Sequence, residues 1–197
     1  MRIVKKVAKD EKALFASKIF DECLKEYPNK LMIDSLELRI SKIDALIIEE
    51  DKAIISLSGS NKFFLEEDEK ALRSIFYEYL NRIFVKKSLD KMPPLIENVI
   101  VSRETAKMLG DDYLYYLHLK TIGKRPANFE EYLNLSIPWI AFFPVDEAAA
   151  EILYNLSKNK TYEAKAKSLF AVLKKNLWFN VNFEKAIKKA RRLNASS

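Results

Sequence analysis

Residues 66–87 restrict the possible folds more than any other stretch. Leu72, Ile75, Phe76, Tyr79, Leu80, Ile83 and Phe84 recur at three- and four-residue spacing and predict one broad apolar helix face that has to be covered by other parts of the chain. Glu66, Glu67, Asp68 and Glu69 lead the stretch and Lys86 and Lys87 end it, which places each sign of charge where a helix dipole favours it. The period before this helix is different. Leu36, Leu38 and Ile40 alternate with Glu37, Arg39 and Ser41, and residues 45–48 and 53–57 flank a charged turn, so residues 31–58 predict a meander of two or three strands. A first helix is expected over residues 8–27, with Asp10 near its start and Pro28 after its end.

After Met92, Pro93 and Pro94 the chain reads as helical, with a unit boundary expected between residues 88 and 94. Ser102 is expected to cap a short helix closed by Gly110, and residues 111–122 follow as a helix apolar nearly all round. Residues 129–135 predict a short helix, residues 137–145 an extended or irregular segment, and residues 147–156 a helix capped by Asp146. Helices over 162–177 and 182–193 complete the pattern. The expected fold is therefore α+β, with a small antiparallel or mixed sheet and two helices in residues 1–90 and a helical unit over residues 91–197 packed against it.

Hydrophobic residues at 49% and charged residues at 31% of the 197 describe a globular chain. The single Cys23 excludes an intramolecular disulfide and suits a reducing cytoplasm; among Ile19, Phe20 and Leu24 it reads as a buried thiol. The basic start runs into charged residues rather than a signal-peptide core, and the longest apolar run contains Pro138 and Pro144 and is too short to span a bilayer, so no membrane partner is expected. Glutamine is absent while Lys, Glu and Ile abound, a bias that suits a thermophile or an AT-rich genome.

Tyr77, Glu78, Tyr79, Leu80 and Asn81 have the place and shape of a His-Glu-x-x-His zinc motif. With the preceding strands and first helix, residues 8–87 resemble the core of zincin metallopeptidases, the small gluzincin-like members in particular. In that family two histidines four apart hold zinc, the glutamate polarises the metal-bound water and a carboxylate from a later helix completes the site. The resemblance matches Glu78 to that glutamate and puts Tyr77 and Asn81 at the histidine positions. Neutral phenol and amide groups are poor zinc ligands, so it implies a core without zinc, cofactor or peptidase activity, acting in binding or assembly with a protein partner or a second copy. The alternative for these residues is an ordinary amphipathic helix, with Tyr77 bordering the apolar stripe and Asn81 further out.

Other candidates each have a plainer reading. Asp146, Glu147 and Glu151 can bind a cation or do acid–base work, or simply form an acidic first helical turn; the zincin resemblance would place a third ligand there. His118 is the only histidine, which excludes any two-histidine site, and reads as a buried ring or, with Asp146 and Glu147, as part of a metal-independent enzyme site. Trp139, Phe142 and Phe143 suit a core or an apolar pocket. Residues 157–197 hold eleven Lys and Arg against two Glu, so the rest of the chain carries −3 of the total +6. Within that surplus Lys185, Lys188, Lys189, Arg191 and Arg192 offer a nucleic-acid interface or a solvated basic helix face. No Gly-rich phosphate loop, Gly-x-Ser-x-Gly elbow or Cys-x-x-Cys pair occurs.

Overall fold

The computed structural model describes residues 1–7, 10–88 and 92–174. The chain divides into two compact units, Met1–Ser88 and Leu89–Ser197. The first is α+β and the described part of the second is helical, in agreement with the expected class.

In the first unit the order is β1 (Arg2–Lys6), α1 (Glu11–Glu26), β2 (Ser35–Ser41), β3 (Ala45–Ile48), β4 (Lys52–Ser58), α2 (Lys62–Leu65) and α3 (Glu69–Ser88). The sheet order is β1-β2-β4-β3, with β1 parallel to β2, β2 parallel to β4, and only β3 antiparallel to its neighbour. The meander is thus corrected. β4 inserts between β2 and β3, and the basic start of the chain, which carries no strand-like alternation of apolar and polar residues, is recruited as a strand by the β1–α1–β2 crossover.

Register determines what each face carries. Leu36 lies beside Ala53 and Leu38 beside Ile55, and these four, with Leu57, are fully buried. Lys5 shares their side of β1 and pairs with Asp21 of α1, which places α1 over that face. α3 packs against α1 through Phe20 and Phe76, whose rings meet edge-on at 5.3 Å. The predicted stripe is buried at Leu72, Ile75, Phe76, Leu80 and Ile83, and burial extends beyond it to Ala71, Ser74, Tyr77, Asn81 and Val85. The start of the long helix is also corrected. Glu66 and Glu67 lie outside it, Glu67 with a left-handed φ of 53°, and the carboxylate of Asp68 accepts from the Ala71 N–H at 3.0 Å.

The second unit holds α4 (Pro94–Leu109), α5 (Asp111–Thr121), α6 (Phe129–Ser136), a 3-10 turn (Ile137–Ala141), α7 (Val145–Asn155) and α8 (Lys160–Leu173). α4 starts at its proline, and Ser102 is a buried residue inside it rather than a cap. Gly110 ends α4 at φ 52°, a conformation that side chains rarely adopt. α5 is narrower in its burial than its composition predicts: Tyr113, Tyr116 and Leu117 are buried, while Tyr115 is 43% exposed. The segment expected to be irregular is a 3-10 turn with Ile137, Pro138, Trp139 and Ile140 buried. Pro144, not Asp146, precedes the first turn of α7.

Candidate functional site

Two polar assemblies stand out in the first unit. One lies between α1 and α3, where Arg73, Tyr77 and Asn81 follow one another at four-residue spacing along α3 and so project along one line. Tyr27 at the end of α1 donates its hydroxyl hydrogen to the Asn81 side-chain oxygen at 2.8 Å. Tyr77 donates to the Glu26 carboxylate at 3.2 Å, and Arg73 pairs with the same carboxylate and approaches Glu22 at 3.7 Å. Asn81 is fully buried and Tyr77 nearly so, so the placement of Asn81 on the outer side of the helix is corrected: its amide is turned inward to a partner on α1. Glu78 lies one position further round, half-buried.

This seam is chemically quiet. Burial, reinforced by Cys23, by the charge of Glu26 and by the hydrogen bond to it, pushes the Tyr77 phenol up to about 12 against the opposing pull of Arg73. Burial likewise raises the Cys23 thiol to about 12, with Arg73 opposing and Glu26 and Glu22 adding to the rise. Both groups hold their protons at neutral pH, and Cys23 is the inert buried thiol that its neighbours predict. Among the described residues no group of three or more His, Cys, Asp or Glu is placed to hold a metal ion.

The second assembly lies on the sheet face opposite α1, and the sequence reading did not single it out. Alternation puts Arg2, Val4 and Lys6 of β1, Glu37 and Arg39 of β2 and Lys52 and Ile54 of β4 on this side. At its centre Glu37 is 2% exposed. Its carboxylate accepts from Arg39 Nε at 3.0 Å and Nη2 at 2.7 Å, while Lys6 and Lys52 each stand 3.2 Å away. Burial alone raises such a carboxyl; hydrogen bonds from Lys52, Lys6 and Arg39, with the charge of Arg39, outweigh it and hold Glu37 below the usual range. The cover over Glu37 includes these cationic side chains, themselves partly in water at 62% exposure for Lys6, 32% for Arg39 and 36% for Lys52. The signal for this cluster was a glutamate in the middle of a strand, but its partners are identifiable only once residues 2–6 are known to form a strand.

The candidates of the second unit have separate partners. Asp146 pairs with Lys167 of α8 at 2.6 Å, and Glu147 acts electrostatically on Lys174, whose amine burial holds below its usual range. His118 stands edge-on to Trp139 at 4.7 Å. Trp139 packs in the core, its ring also 6.3 Å from Phe143. Lys185, Lys188, Lys189, Arg191 and Arg192, and the helix expected over 182–193, lie outside the described residues. Among the described residues no helix is long and apolar enough to cross a membrane. Compared with family models, curated proteins and solved structures, the chain gives no match.

Proposed function

We propose that this chain is a non-catalytic binding protein of the cytoplasm, whose first unit keeps a zincin-like order of helix, mixed sheet and long helix without zinc or peptidase chemistry. The observation that carries the reading is the destination of Tyr77 and Asn81. At the two positions where the family motif presents metal ligands, both side chains make hydrogen bonds to α1 instead. A histidine pair facing an open coordination site needs free lone pairs; here the amide oxygen and the phenol are engaged inside the unit.

Purified protein equilibrated with excess zinc and then freed of unbound metal is expected to retain far less than one zinc per chain and to leave peptide substrates intact. Stoichiometric zinc with peptide hydrolysis would overturn the reading.

A further inference from the structure

We infer that residues 30–34 pair with the same residues of a second copy of this chain, as two antiparallel strands about a two-fold axis at Met32. The inference names the partner of the non-catalytic binding reading and rests on it. Between α1 and β2, residues 29–34 line a cleft of about 540 Å³ together with Leu24 and Tyr27. Exposure alternates along this stretch as it does in a strand: Lys30, Met32 and Asp34 are exposed, while Leu31 and Ile33 are buried at 7% and 6%. Yet no strand lies beside it. Pairing to the sheet starts at Asp34, whose carbonyl accepts from the Arg2 N–H and whose own N–H donates to Asp51. Among the described residues no hydrogen bond reaches residues 29–33, so the buried Leu31 and Ile33 carry peptide groups with no partner in the chain.

The order of residues 30–34 is base, three apolar residues, acid, which is its own complement when reversed. Antiparallel pairing about Met32 sets Lys30 against Asp34 of the partner subunit at both ends, whereas parallel pairing would set like charges together. Neither charge has an ion-pair partner among the described residues. In an antiparallel pair, facing residues alternate between those that exchange two hydrogen bonds and those that exchange none. With Met32 facing itself as a non-bonded pair, Leu31 and Ile33 exchange about four bonds in all, and the Asp34 peptide keeps its bonds to Arg2 and Asp51. The register therefore uses the two buried residues whose peptide groups are free. Met32 at 48% and Met1 at 61% are exposed apolar side chains of the same cleft for the second copy to cover. A strand pair of this length is a small interface, so micromolar association is expected rather than an obligate dimer.

The test is analytical sedimentation of the full chain between about 1 and 300 µM, a span suited to a micromolar dimer. A monomer–dimer equilibrium is expected. Lys30→Asp and Asp34→Lys, both at exposed positions, each set like charges against each other at both ends of the pair and should each weaken it by at least about tenfold. An equimolar mixture of the two variants should restore the dimer, and so should the double variant Lys30→Asp/Asp34→Lys. Hydrogen exchange of the unaltered chain reads the register: where the dimer dominates, the Leu31 and Ile33 amides should slow by about fivefold relative to dilute protein, and those of Lys30 and Met32 far less. A monomer at every concentration, a dimer indifferent to the charge changes, or unslowed Leu31 and Ile33 amides would overturn the inference, the second in favour of another face. Zinc content and peptide hydrolysis are measured independently of association, so the two claims fail separately.

Discussion

Phe76→Ala is expected to destabilise the first unit by about 3–5 kcal/mol, the range for truncating a buried phenylalanine. Phe76 is fully buried, and its ring meets Phe20 edge-on across the α1–α3 contact, so truncation loses both transfer free energy and an aromatic pair. The neighbours are poorly placed to collapse into the space. Phe20 is held by α1, and Leu72 and Leu80 belong to the same helix as the cavity. A loss of this size is a large share of the roughly 5–15 kcal/mol that holds a domain together. Urea unfolding followed by far-ultraviolet circular dichroism measures it; a loss below about 1 kcal/mol would mean that α1 and α3 do not close on each other through this pair.

Glu37→Gln is expected to cost about 1–2 kcal/mol at neutral pH and, more tellingly, to change the acid response. The direction follows from linkage. Glu37 is held below its ordinary value of 4.5 in the folded protein, so the unfolded chain binds its proton first as the pH falls. Its contribution is therefore present above about pH 4.5 and is lost as the pH falls through the lower folded value. In the Glu37→Gln variant that contribution is already absent, so the two stability curves should differ at pH 7 and converge in acid. The magnitude is kept modest because the three cations are partly solvated and water screens them. Removing the carboxylate also leaves Lys6, Arg39 and Lys52 facing one another without a counter-charge, which adds to the loss. Parallel curves at all pH values would show that Glu37 is not the group holding the cluster.

What the sequence made legible follows the strength of the local signals. α3, α5 and α6 were read close to their observed bounds because periodicity and flanking breakers agree there. The α+β class followed from the change of period near residue 60. β1 was missed for a physical reason: at the edge of the mixed sheet its five residues are mostly exposed, so neither alternation nor a buried run marks it. Losing β1 hid the parallel pairing, and with it the neighbours of Glu37. Asn81 shows a different limit. A helical wheel puts it outside the apolar stripe, and a tertiary contact such as the hydrogen bond from Tyr27 satisfies a polar amide that is fully buried there.

The Tyr27–Asn81 bond also gives the most direct test of the central claim that the Tyr77 to Asn81 stretch joins α3 to α1. A double-mutant cycle with Tyr27→Phe and Asn81→Ala, read by urea unfolding, isolates the pair from the other contacts of either residue. A coupling of about 1 kcal/mol is predicted for a buried neutral hydrogen bond. Additive effects, with coupling below about 0.3 kcal/mol, would contradict the account.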